Sequence, residues 1–193
     1  MPVFGRTGMS DPQRIKTLSS QYKARETVDD MMLSQLAGDV AALLEQRDQR
    51  LVLAESCTAG LISATLAVVP GISAHFCGSS VVYRERTKKQ WLGVDSEMLR
   101  RWTAVSQQAT AAVTQGVLQQ TDEATLALGI TGHLGPDAPP DLDGQIFIAI
   151  WSRGTGQLTD VTATQEKLLM DQRVDRQQES VQRALSLLKM WIK

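Results

Sequence analysis

The stretch Leu51-Val-Leu-Ala-Glu-Ser-Cys-Thr-Ala-Gly60 organises the reading of this chain. Its first five residues have the short, mostly apolar character of a buried strand, and small residues able to open a helix follow. A strand-to-helix turn of this kind presents Ser56 among free backbone N–H groups. That suits an acyl-transfer nucleophile or an anion site. It equally suits a tightly packed βα turn in which Ser56 is a helix N-cap. On these residues alone both readings stand. Cys57 is a second candidate nucleophile, since a helix N-terminus favours thiolate, although a buried cysteine more often only packs.

On either side of this turn, strand and helix patterns alternate. Apolar residues at Val28, Met32, Leu36, Val40, Leu43 and Leu44 have helical spacing from Thr27 to near Arg50. A helix over Leu61–Val68 should stop at Pro70-Gly71, and Phe76–Tyr83 reads as a second strand. The charged run Arg84-Glu-Arg-Thr-Lys-Lys89 comes next, then a short helix at Ser96–Arg101. Ser106 is the expected N-cap of a helix reaching about Gln120, with Ala109, Val113 and Val117 inward. A third strand at Ala124–Ile130 leads into Thr131-Gly-His-Leu-Gly-Pro136. The Pro- and Asp-rich residues 137–143 form a loop. Gln145–Trp151 and Leu158–Thr164 read as a hairpin turning at Arg153-Gly-Thr-Gly156. The last helix places Val174, Val181, Leu185, Leu188 and Ile192 on one face. The alternation predicts an α/β sandwich, and the closing hairpin makes its sheet mixed.

The 193 residues suit one domain, here 26–193, after a stretch at 1–25 without apolar periodicity that is expected to be a mobile tail or arm. Hydrophobic residues are 42% and charged residues 21%, the balance of a globular protein with a core. A net charge of −1 speaks against a general nucleic-acid footprint. Two cysteines, Cys57 and Cys77, give no disulfide framework, and two histidines, His75 and His133, give no zinc pattern. No metal or cofactor is expected. The absence of an apolar leader pattern and of an 18-residue apolar run predicts a cytoplasmic protein without a membrane span.

Three loops follow predicted strands and carry polar residues: Ser56 to Thr58, Tyr83 to Lys88, and Thr131-Gly132. If the three strands are parallel, these loops converge where open α/β sheets gather ligands. A serine needs a neighbour to take its proton. Neither histidine fits a Ser-His-Asp pattern. A lysine serves if burial or a nearby cation lowers its pKa. Lys88 and Lys89 sit in a cationic run with Arg84 and Arg86, and Tyr83 is placed to relay a proton or donate to an oxyanion. The competing reading of that run is a solvated face. Gly132 and Gly135 permit close approach of backbone N–H groups to an anion, or simply make a turn. A lone loop histidine such as His133 is more often structural.

At these residues the chain resembles the CinA C-terminal domain family, whose enzymatic members are nicotinamide-nucleotide amidohydrolases. The resemblance runs from about Leu36 to Lys193. It rests on Ala54-Glu-Ser-Cys-Thr-Ala-Gly60, Val69-Pro-Gly71, Tyr83 with Lys88 five residues later, Leu92-Gly-Val94, Ala104-Val-Ser106 and Thr131-Gly-x-x-Gly-Pro136, in that order. It implies a three-layer α/β/α domain with a mixed, mostly parallel central sheet, usually in homo-oligomers. It also implies metal-free hydrolysis of the amide of nicotinamide mononucleotide, a small-molecule nucleotide, to the acid and ammonia. Carried over by position, Ser56 attacks the carboxamide, and Lys88, with Tyr83, handles the proton. Cys57, Thr58, Thr131 and Gly132 lie about the substrate, and Arg173 and Arg176 are basic positions suited to a nucleotide phosphate. The N-terminal domain of full-length CinA proteins has no counterpart in residues 1–25.

Three departures stand out. Ala59 replaces the first glycine of the family's usual Ser-Cys-Thr-Gly-Gly, which is harmless unless that position needs φ > 0. Arg84-Glu85 stand where Ser-Asn is usual. Asp137-Ala-Pro-Pro-Asp-Leu-Asp-Gly144 replaces a glycine-rich loop ending in Lys-Pro-Val-Gly. This stiffer, acidic loop keeps open a second function: a non-catalytic or differently specific nucleotide binder.

Overall fold

The computed structural model describes residues 28–154, 157–159 and 163–193. The expectation for residues 1–25 lies outside them. The chain divides into two units, Met1–Met32 and Leu33–Lys193, and the second holds the sheet. In chain order the helices are α1 (Val28–Gln46), α2 (Leu61–Ala67), α3 (Glu85–Leu92), α4 (Ser96–Trp102), α5 (Gln107–Gln119) and α6 (Arg173–Ile192), with a single 3₁₀ turn at Ile72–Ala74. The strands are β1 (Leu51–Glu55), β2 (Phe76–Val81), β3 (Leu126–Gly132), β4 (Gln145–Gly154), β5 (Gln157–Thr159) and β6 (Ala163–Lys167).

The sheet order is β2-β1-β3-β4-β5, with β6 also on β4. Strand β1 pairs in parallel with β2 on one side and β3 on the other, and β4 to β6 complete the sheet in antiparallel fashion. The sheet is therefore mixed around a parallel core. The run read as one strand over Leu158–Thr164 is two short strands, β5 against Ser152 to Gly154 and β6 against Gln145 to Ala149.

Because strand side chains alternate between faces, β1 serves two cores at once. Leu51 and Leu53 join Leu126, Leu128 and Ile130 beneath α1, α2 and α6, where Val40, Leu44, Ile62, Leu66, Val181, Leu185 and Leu188 are buried. Val52 and Ala54 face the other way, onto Leu92, Leu99, Ala109, Val113 and Val117 of α3 to α5. That makes the three layers. Gly129 permits the close seating of α5, since a Cβ there would fall 1.9 Å from Thr114 Oγ1. Two helix faces differ from expectation. Met32 and Val174 are exposed, and α6 instead buries Arg176, Glu179 and Ser180 beside its apolar residues. Those polar groups are buried because each has a partner nearby, described below for Arg176.

Parallel pairing sets the carboxyl ends of β1, β2 and β3 side by side. Glu55 lies level with Val81 on one side and Ile130 on the other. The loops that follow these three residues therefore converge.

Candidate active site

Ser56 leaves β1 with its N–H donating to Ile130 O at 3.1 Å, and Ala59 N–H closes the turn onto Ser56 O at 3.1 Å. Ala59 and Gly60 both take left-handed backbone, φ 53° and 97°. Helix α2 starts after Gly60 with no side-chain cap of its own. The Glu55 carboxylate supplies that cap from the strand. It accepts from the N–H groups of Gly60 (3.0 Å), Ile62 (3.1 Å) and Ser63 (3.0 Å). It also accepts from the hydroxyls of Thr58 (2.8 Å), Ser63 (2.5 Å) and Ser79 (3.2 Å). A fully buried carboxylate is stable only with such donors. The orphan N–H groups of α2 are thus satisfied by Glu55, and the Ser56 hydroxyl is left for other work.

That hydroxyl meets Lys88. Helix α3 forms from the charged run, and its period turns Lys88 inward with Leu92 while Arg84, Glu85 and Arg86 stay exposed. Lys88 is 1% exposed. Its Nζ donates to Ser56 Oγ at 2.9 Å and to Val82 O at 2.6 Å. Burial pushes the Lys88 pKa down to about 8 from 10.5. Burial pushes the neighbouring Cys57 thiol up to about 12, so at neutral pH it is a protonated packing group rather than a thiolate.

Beside Ser56 opens a cavity of about 290 Å³. Cys57, Tyr83, Gly132, His133, Asp137 and Arg173 are among its walls. Tyr83 is half-exposed at the mouth, and its hydroxyl accepts from Arg173 Nη2 at 2.8 Å. Among the described residues it bonds neither Ser56 nor Lys88. The other arm of Arg173 donates to Gly135 O at 2.5 Å, tying the mouth to the loop after β3. Gly132 is backed by β4 and Cys57, and a Cβ there would sit 2.7 Å from Ile146 and 3.1 Å from Cys57 Sγ. Burial pushes the His133 pKa down, so its imidazole is neutral at pH 7.

The other residues expected at the substrate lie elsewhere. Thr58 is buried against Glu55. Thr131 shares a 2.8 Å hydrogen bond with Thr110 of α5, on the far side of β3 from the α6 layer. Arg176 is buried and forms a bidentate pair with Asp143 (2.7 and 2.8 Å), while its Nε donates to Met170 O at 2.6 Å. The pair holds the loop before β4 against α6, and the Arg176 charge lowers the Asp143 pKa. Reading by position did not give Glu55, Asp143 or Asp137 a role. Glu55 left one signal, an acid closing an otherwise apolar strand. Asp143 left none, because its partner is 33 residues away. Among the described residues, no His/Cys/Asp/Glu cluster is suited to a metal and no helix is long and apolar enough to cross a membrane.

Comparison with known proteins agrees with this architecture. A CinA-like protein of Myxococcus xanthus is 39% identical over 120 residues, covering 61% of this chain and 28% of the relative. A competence-damage inducible protein of Moorella thermoacetica is 35% identical over 162 residues, covering 83% of this chain and 37% of the relative. The chain thus spans about a third of the length of the curated relatives it matches. Among solved structures, the competence/damage inducible protein CihA from Agrobacterium tumefaciens superposes with a TM-score of 0.76 at 27% identity, covering 83% of this chain and 95% of the other. A CinA superfamily protein from Klebsiella pneumoniae does so with a TM-score of 0.76 at 26% identity, covering 83% and 97%. The family's CinA C-terminal domain matches residues 33–192, nearly the whole sheet-bearing unit, and the chain belongs to that family.

Proposed function

We propose that this domain is a metal-independent amidohydrolase that cleaves the carboxamide of nicotinamide mononucleotide or a related amide. The observation that carries the reading is the buried 2.9 Å contact between Lys88 Nζ and Ser56 Oγ, with the lysine pKa brought down to about 8. At pH 7 about a tenth of such a lysine is neutral. The neutral amine still donates one N–H to Val82 O, and its lone pair faces the Ser56 hydroxyl. Ser56 Oγ then bonds the carboxamide carbon as Lys88 takes the serine proton. The N–H groups of Cys57 and Thr58, which no carbonyl accepts among the described residues and which lie against the Cys57 sulfur, are the nearest donors to serve the developing oxyanion. Lys88 returns the proton to nitrogen as the C–N bond breaks, and ammonia leaves. Water, deprotonated by Lys88, adds to the ester carbon, and Lys88 passes that proton to Ser56 Oγ as the C–O bond breaks and the acid leaves. Tyr83, bonded to Arg173, shapes the mouth of the cavity.

The test is ammonia release over a panel of nucleotides and amides, wild type beside Ser56→Ala. Undiminished turnover in the variant sinks the mechanism. A second reading, binding without hydrolysis, is favoured by the acidic loop: Asp137 lines the cavity and Asp143 occupies Arg176. Calorimetric binding of the same nucleotides with no product identifies it. In either case the working unit is a homo-oligomer in the cytoplasm, and sedimentation equilibrium reads its size.

A further inference from the structure

The cavity at Ser56, about 290 Å³, falls just below the range for pockets that enclose a whole ligand, roughly 300–1,000 Å³. A substrate with its amide at Ser56 therefore extends beyond it. Toward the loop after β3 it meets Asp137, and the Arg176 charge there is already engaged by Asp143. On the other side of Tyr83 lies a second, open cavity of about 660 Å³, lined by Tyr83, Arg84, Glu85, Arg86 and Lys89. Tyr83 is a wall of both cavities.

The chemistry of that second cavity is cationic. Three cations face one carboxylate, and among the described residues Arg84, Arg86 and Lys89 form no ion pair. The first N–H groups of α3, at Glu85 and Arg86, donate to no described backbone carbonyl and add the positive end of the helix. Arg173, bonded to Tyr83, extends the positive charge to the dividing wall.

We infer that the cavity beyond Tyr83 is an anion subsite that selects amide substrates carrying a diphosphate tail. Arg173 supplies one positive charge, and Arg84, Arg86 and Lys89 against Glu85 supply a net +2, enough together to hold both charges of a diphosphate diester. This rests on the hydrolase reading for the amide but not for the anion.

The experiment has two arms. Calorimetry with inorganic pyrophosphate is run on the full chain, on Ser56→Ala, on Arg84→Ala/Arg86→Ala and on Arg84→Lys/Arg86→Lys, with circular dichroism to check folding. Pyrophosphate is expected to bind wild type and Ser56→Ala alike, and about tenfold or more weakly to the alanine pair. The lysine pair is expected to recover most of the loss, and added salt to weaken binding throughout. In the second arm, kcat/KM for NAD, a diphosphate-tailed amide, is divided by that for uncharged-tail nicotinamide riboside. That ratio is expected to fall about tenfold in the alanine pair. Equal pyrophosphate affinity in wild type and the alanine pair overturns the subsite, as does an unchanged ratio in an active enzyme. Arginine-dependent pyrophosphate binding with no amide hydrolysed upholds the subsite and removes the hydrolase reading instead.

Discussion

The cavity has two sides, and they are held in opposite ways. On the Ser56 side, Glu55, Ser56 and Lys88 are all nearly sealed from solvent, and their side chains have fixed hydrogen-bond partners in the turn after β1, in α2 and after β2. On the other side, residues 133–144 are attached by two arginines of α6: Arg173 to Gly135 O and Arg176 to Asp143. Three parallel strands and a carboxylate cap over-determine the first side. The second rests on those two ties and on backbone bonds across the neck of the loop, His133 N–H to Gln145 O and Gly144 N–H to His133 O. A chain built this way can change what it admits without disturbing the contact between Ser56 and Lys88.

The largest expected effects fall on the buried side. Lys88→Met keeps the side-chain volume and removes the proton acceptor, so kcat for ammonia release should fall by about 10³. Retention of more than a tenth of the activity would place the base elsewhere. Glu55→Ala strands the N–H groups of Gly60, Ile62 and Ser63, and stability should drop by about 3 kcal/mol, a melting shift of roughly 6–12 °C.

The same side sets the pH response. With neutral Lys88 as the proposed general base, titrating near 8, kcat/KM should climb about tenfold per pH unit below that value and level off above it. Stability has the same sign. The folded-state pKa lies below the unfolded value of 10.5, so the unfolded chain binds more protons between about 8 and 10.5. Wild type should therefore gain stability relative to Lys88→Met across that window, by at most about 3 kcal/mol. A flat difference between the two proteins would mean that Lys88 is not desolvated.

On the loop side the effects are smaller. Asp143→Asn leaves Arg176 with a neutral partner and loosens the loop, and KM should change about three- to tenfold with kcat nearly constant. The direction separates the two jobs Arg176 can do. KM rises if the pair only orders the loop, and falls for an anionic amide if the freed guanidinium reaches the substrate.

This contrast also marks what could be read from the sequence. The apolar strand Leu51–Glu55 and the cap at Ser106 are local signals, and both stand in the structure; Ser106 Oγ accepts from Ala109 N–H at 3.1 Å. The charged run offered Lys88 and Lys89 alike as bases, and only the family resemblance singled out Lys88, since a run of four cations and one acid equally resembles a solvated face. Its inward position follows once the run is drawn as a helix, where Lys88 falls one turn before Leu92. Arg176 and Thr131 were assigned to a ligand because nothing local reveals their partners. Asp143 and Thr110 lie 33 and 21 residues away. Non-local pairing of polar groups is invisible to periodicity.

The smallest effect concerns Ala59, on the tight side of the cavity. Its φ of 53° is left-handed backbone, which for a residue with a Cβ costs about 1–2 kcal/mol. Glycine removes that cost but adds freedom to the unfolded chain, worth about 0.5–1 kcal/mol in the opposite sense. Ala59→Gly should therefore raise stability by about 0.5–1 kcal/mol, roughly 1–4 °C in Tm. Ala59→Val should lower it by at least as much, because a β-branched side chain is least compatible with positive φ. If glycine instead lowers Tm, the turn after Ser56 is not strained at Ala59. The rigidity of this side would then rest on the Glu55 carboxylate alone, with the alanine serving to restrict the unfolded chain.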